Sequence, residues 1–152
     1  MSKTSAGILL WKRDGATMRV LLVHPGGPYW AKKDIGAWSI PKGEYGARED
    51  ALAVARREFA EELGATIDGV AGPLGDIKQK AGKVVTAFSV EGDLDVSGLR
   101  SNTFEIEWPP NSGQRQTFPE VDRAEWFTLD EAREKINPAQ AAFLDRLVAA
   151  IG

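Results

Sequence analysis

The chain has 152 residues, 43% of them hydrophobic and 27% charged, the balance of one folded domain rather than of a disordered chain. Its 19 Lys and Arg against 22 Asp and Glu leave a net charge of −3, which argues against a general nucleic-acid coat, whose footprint is a basic face. Cysteine is absent and His24 is the one histidine, so disulfides and thiolate chemistry are excluded and a histidine-rich zinc site is disfavoured. No apolar run approaches the ~20 residues of a membrane span, and Met1–Ser5 lacks the apolar core of a signal peptide, so the expected compartment is the cytoplasm.

Ala6–Trp11 and Met18–Val23 are apolar runs separated by the turn signal Lys12-Arg13-Asp14-Gly15, which predicts two buried strands. Pro25-Gly26-Gly27-Pro28 breaks the chain. Residues 29–48 carry Trp30, Trp38, Lys32, Lys33, Lys42 and several glycines without a helical period, and read as an ordered loop with a short extended piece at Ala37–Ile40. From Glu49 to Leu63 the apolar residues Leu52, Ala55, Phe59 and Leu63 recur at helical spacing, and Gly64 stands where a C-cap glycine belongs. Ile77–Lys80 and Val84–Val90 read as strands around Ala81-Gly82. Thr103–Trp108 is a further strand, stopped by Pro109-Pro110-Asn111-Ser112-Gly113, and Val121–Phe127 another. Residues 109–119 read as a polar loop, which either overhangs a site and selects substrates or is a mobile surface loop. Thr128 caps a helix over about Leu129–Ile136 with Glu131 in capping-box position, and Pro138 opens a last helix through Ala150. Strands around one early and two late helices define a mixed α/β class in one domain spanning 1–152.

The chemistry concentrates between Gly43 and Ala65. At ~100° per residue, Glu58, Glu61 and Glu62 fall within an arc of roughly 100°, beside the apolar stripe. On a solvated helix such a cluster costs only a few tenths of a kcal/mol per pair. Beside a half-buried cleft, two charges ~5 Å apart repel by about 3 kcal/mol at an effective dielectric of ~20, and a cation is then the natural partner. All-oxygen ligands suit Mg²⁺, with Mn²⁺ as a substitute, and such ions serve phosphoryl chemistry.

The segment reads Gly43-x5-Glu49-x7-Arg57-Glu58-Phe59-x-Glu61-Glu62-x-Gly64-Ala65. It resembles the Nudix box of the MutT-like hydrolases, with Ala65 smaller than the usual aliphatic residue there. Trp126-Phe127-Thr128-Leu129 also resembles the family. The resemblance implies a Nudix-type α/β/α sandwich with a mixed β-sheet between helices. It also implies a Mg²⁺-dependent pyrophosphohydrolase that cleaves a P–O–P bridge in a nucleoside diphosphate-linked compound. Carried over by position, Glu58, Glu61, Glu62 and the Gly43 carbonyl would be metal ligands, Arg57 would orient the glutamates, and Glu49 would support the turn into the helix. The general base is either a box glutamate or a later carboxylate. Glu120, in Phe118-Pro119-Glu120-Val121-Asp122, is the later candidate, and its alternative is an exposed loop carboxylate.

Trp38-Ser39-Ile40-Pro41-Lys42-Gly43 resembles the dinucleoside polyphosphate and diphosphoinositol polyphosphate branches of the family. The tyrosine that many dinucleoside tetraphosphate hydrolases carry 16–18 residues beyond the box is absent, and residues 80–83 are Lys-Ala-Gly-Lys. A nucleoside triphosphate and a dinucleoside polyphosphate therefore both stand as substrates. Lys42 is expected to hold a phosphate as a point charge. Lys32 would do so from the preceding loop, or else be solvated. Trp38 would stack on a nucleobase or pack in the core. Arg115 would act from the 109–119 loop. Trp126 is assigned to the core and His24 to a structural or surface role. A small phosphorylated nucleotide is the expected partner, and the acidic balance argues against a nucleic-acid substrate. The competing reading is a nucleotide-sensing module that keeps the fold without turnover.

Overall fold

The computed structural model describes residues 3–151. Strands β1 (Thr4–Asp14) and β2 (Thr17–Pro25) pair antiparallel across the expected turn. They sit inside a mixed sheet of order β4-β5-β1-β2-β8, built with β4 (Ala71–Lys78), β5 (Val84–Glu91) and β8 (Val121–Thr128). β1 runs parallel to β5, and the other neighbours on this path are antiparallel. Both faces of the central strands are covered, which is why their sequences are apolar at successive positions. Ile8, Leu10, Leu21 and Val23 face helix α1 (Ala51–Leu63) and its Val54, Ala55, Phe59 and Leu63. Leu9, Trp11, Val20 and Leu22 face the opposite layer, with Phe143, Leu144 and Leu147 of α3 (Ala141–Ile151) and Ala132 of α2 (Leu129–Lys135). This is the α/β/α sandwich expected from the sequence. Among the described residues, no helix is long and apolar enough to cross a membrane.

Several boundaries differ for physical reasons. α1 starts at Ala51 rather than Glu49, because the Asp50 side chain caps it by accepting from the Ala53 amide at 3.0 Å. Its buried face includes Val54, while Leu52 is half-buried. Gly64 ends it in the left-handed conformation, φ 71°, and donates its N–H to Ala60 O at 2.8 Å. β4 begins at Ala71, well before Ile77, with a register irregularity between Pro73 and Gly75 that hides its alternation. The segment expected to be loop around Lys42 contains a strand, β3 (Lys42–Glu44), which pairs with β1 through Ala6 opposite Gly43. The last helix is preceded by a 3₁₀ turn, Pro138–Gln140.

The region 109–119 is not a loop throughout. Arg115–Pro119 forms β7, which pairs with β6 (Thr103–Glu107) as a separate two-stranded hairpin. Phe104 and Phe118 lie across it, 6.1 Å between ring centres. Phe104 also seats against the Gly26-Gly27 turn, where a Cβ on Gly27 would lie 2.8 Å from its ring. The hairpin is thereby docked on the main sheet, and it delivers Glu120 to the start of β8.

Candidate active site

α1 and β3 meet at one end of the sheet, and the glutamates line a cavity of about 490 Å³ there. Glu58, Glu61 and Glu62 come from the last turns of α1, and Glu120 comes from the β7–β8 connection. Glu120 is fixed by its backbone: its N–H donates to Asn102 O and its carbonyl accepts from Gly26 N, both at 2.9 Å. Lys42, Gly43 and Glu44 of β3 form another wall.

Gly43 is dictated by its neighbour. A Cβ there would lie 2.0 Å from Glu58 Cδ and 2.3 Å from its Oε1, so the carboxylate packs directly on β3 backbone. Arg57 lies outside the cavity among three carboxylates. Its guanidinium is 3.2 Å from Glu49, 3.9 Å from Glu58 and 4.0 Å from Glu61. Glu49 in turn accepts from the Gly46 amide at 3.0 Å, and that bond, followed by Arg57, holds its carboxyl below the usual range. Glu49 and Arg57 thus tie the loop before α1 to the glutamate face.

The electrostatics of the cavity run the other way. Burial pushes the Glu62 carboxyl up to about 8; Lys42 opposes the rise, and Glu58 and Glu120 add to it. Glu58 is raised by burial first and then by Glu61. Confined carboxylates of this kind are hard to keep ionised together without a positive charge among them. Among the described residues, no three His, Asp or Glu side chains form a ready-made metal cluster, so the glutamates share a cavity without converging on one point. The donor set is nevertheless all oxygen and anionic, and it packs on a side-chain-free residue whose carbonyl is of the same hard type. That chemistry fits a hard divalent cation.

The other expected site residues separate. Lys42 lines the cavity. Lys32 lies exposed in the preceding loop, and Arg115 lies exposed on β7, paired with Glu105; neither lines the cavity. Trp38 is 1% exposed, so base stacking is corrected to core packing. Its indole N–H donates to Asp34 at 2.8 Å, and its ring meets His24 and Phe127 edge-on, with centres 5.1 and 5.0 Å away. Trp126 is half-buried rather than central, with its N–H donating to Leu94 O and Lys12 over its ring. His24 is structural: fully buried, its Nε2–H donates to Lys33 O at 2.6 Å and its Nδ1 pairs with Asp122 at 2.8 Å. Sequence reasoning missed Ser5, Gln79, Lys83 and Asn102, which also line the cavity. They come from three separate segments, β1, the β4–β5 turn and the stretch before β6, and no spacing along the chain joins them to the glutamates.

The NUDIX domain family model matches residues 1–147. No curated protein matches the chain. Among solved structures it is similar to a Caenorhabditis elegans Ap4A hydrolase binary complex, at 17% identity and TM-score 0.65 over 97% of each chain. It is also similar to the NUDIX domain of Shewanella oneidensis NrtR complexed with ADP ribose, at 13% identity and TM-score 0.69 over 100% of this chain and 90% of that one. A MutT NUDIX hydrolase from Burkholderia pseudomallei shares 20% identity and TM-score 0.64 over 97% of this chain and 98% of that one. The chain belongs to the Nudix family.

Proposed function

We propose that this chain is a Mg²⁺-dependent pyrophosphohydrolase that cleaves a P–O–P bridge in a nucleoside diphosphate-linked substrate, with Mn²⁺ able to replace Mg²⁺. The observation that carries the reading is the gathering of Glu58, Glu61, Glu62 and Glu120 in one cavity against Gly43 and Lys42. Glu58, Glu61, Glu62 and the Gly43 carbonyl would hold the cation. When bound, such an ion neutralises phosphate oxygens and lowers the pKa of a coordinated water. Lys42 holds a substrate phosphate. Arg57 positions the glutamates from outside the cavity. Glu120 comes from a separate loop and is outside the proposed ligand set, so we assign it to take the proton of the attacking water through a carboxylate oxygen.

The test is product analysis over nucleoside triphosphates, oxidised nucleotides, dinucleoside polyphosphates, nucleotide sugars and diphosphoinositol phosphates, each with Mg²⁺, Mn²⁺ or EDTA. Metal-dependent release of a monophosphate and a phosphorylated remainder supports the proposal. Nucleotide binding without turnover on any of them overturns it in favour of a sensing module.

A further inference from the structure

The ladder between β1 and β2 runs only from Asp14 opposite Thr17 to Trp11 opposite Val20. Past it, residues 39–44 enter as a wedge. Ser39 exchanges both backbone bonds with Val23 of β2, at 2.9 and 3.0 Å, and Lys42–Glu44 pair with β1. Ile40 and Pro41 make the crossing. Pro41 has no N–H, and its carbonyl accepts from Ile8 N at 3.2 Å. The Ile40 N–H finds its acceptor 100 residues away, in Gln140 Oε1 at 3.1 Å. Ile40 and Gln140 are both fully buried. The turn that carries Gln140 also grips the wedge at its start, because Asn137 N donates to Trp38 O at 2.7 Å. The wedge has no slack on either side. A Cβ on Gly7 would lie 2.5 Å from Pro41 O and 2.8 Å from Lys42 Cβ, and Glu58 leans on Gly43. A shift at Ile40 is therefore passed on to Lys42 and Gly43.

We propose that Gln140 is a positioning residue for the glutamate site: through Ile40 it sets where Lys42 and the Gly43 carbonyl stand against Glu58. Its own amide shows what it is there for. Turning that amide over would set two donors against each other, so Oε1 faces Ile40. Nε2 is then left buried with no partner among the described residues. A methionine of the same length would exchange one unpaired donor for another, Ile40 N–H for Nε2, so the amide adds little net stability. What it supplies is a fixed height for the wedge. This inference rests on the proposed hydrolase reading, whose phosphate-holding lysine and cation-binding carbonyl are the groups positioned.

The experiment compares the parent with Gln140→Met, with Gln140→Glu, whose carboxyl keeps an oxygen for Ile40, and with Phe143→Ala, which removes packing from the same layer but not the Ile40 bond. Turnover is followed as Mg²⁺ is varied. Gln140→Met lowers kcat/KM about tenfold and raises the Mg²⁺ concentration for half-maximal rate about fivefold, the effect of misplaced site groups. Gln140→Glu and Phe143→Ala leave that concentration at the parent's value. No rise in Gln140→Met, or an equal rise in Phe143→Ala, overturns the inference. If the parent turns over no substrate, the hydrolase reading fails on its own, and amide hydrogen exchange decides the anchoring of the wedge separately. In the parent, the Ile40 amide exchanges as slowly as those of β1. In Gln140→Met, the Ile8 and Tyr45 amides, which donate to Pro41 O and Thr4 O, exchange faster than in the parent while those of α1 do not. Fast exchange of Ile40 in the parent, or unchanged Ile8 and Tyr45 in the variant, overturns it.

Discussion

Gly43 and Glu58 illustrate how closely single residues constrain one another at this site. With Glu58 Cδ only 2.0 Å from where a Gly43 Cβ would stand, Gly43→Ala forces β3 or α1 to move. The expected result is a loss of about 1–3 kcal/mol in urea unfolding, together with a marked fall in turnover. Glu61→Gln and Glu58→Gln remove charge without volume, so turnover collapses, by about a hundredfold or more, while the thermal midpoint barely falls. Full activity in both variants would remove these residues from the proposed metal site. Glu120→Gln has a different signature under our assignment: kcat falls while binding of the metal–nucleotide complex is retained, as calorimetry would read. On the opposite side of the sheet, Asp34 accepts from Lys135 and from the Trp38 indole, and these bonds, Lys135 first, lower its pKa from the ordinary 3.8. A carboxylate with a depressed folded-state pKa adds stability above its unfolded value and loses it as pH falls through the folded one. Asp34→Asn keeps an acceptor for Trp38 but discards the charge. The stability gap between parent and variant, followed by thermal melts, is therefore open at neutral pH and closes as pH falls below about 4.

The glutamates depend on the helix that carries them. Three features set the register of α1: the Asp50 cap, the Glu49–Gly46 bond just before it, and Gly64 at its end. Asp50→Ala leaves an unpaired amide in the first turn and costs about 0.5–2 kcal/mol in chemical denaturation, with the glutamate turns at the far end of the helix less affected than the first. The β6–β7 hairpin works at the same scale. It touches the main sheet through the Gly26-Gly27 turn and through the Asn102–Glu120–Gly26 backbone bonds, so it fixes where Glu120 stands without lying in the central sheet. Arg115, which sequence reading places in a substrate-selecting loop, is instead an exposed strand residue paired with Glu105.

At the scale of the whole molecule, two cores pack on opposite faces of the sheet, and the one that holds Phe59 carries the glutamate-bearing helix α1. Phe59, between Glu58 and Glu61 in the sequence, is fully buried on the inner face of α1, whereas Phe143 is fully buried in the opposite layer. Either change to Ala deletes a comparable buried ring and costs about 3–5 kcal/mol. Phe59→Ala is expected to lower kcat, because the cavity it opens lies beneath the glutamate-bearing turns. Phe143→Ala leaves kcat close to that of the parent at temperatures where the variant is folded. Equal effects of the two on kcat would show that the layers are mechanically coupled across the sheet.

Local chemistry makes much of this protein readable from its sequence. The apolar runs of β1 and β2, the capping box at Thr128 and the helical spacing of Glu58, Glu61 and Glu62 are properties of neighbouring residues, and they survive folding unchanged. β3 was not legible, because Lys-Gly-Glu has no periodicity and becomes a strand only by pairing with β1. Trp38 allowed two readings until packing against His24 and Phe127 placed it in the core. The convergence of Gly43, Glu62, Lys83 and Glu120 on one cavity is set by contacts between segments far apart in the chain. Helix periodicity and turn chemistry act over a few residues and are therefore encoded locally; the walls of the cavity exist only once the sheet has brought those segments together.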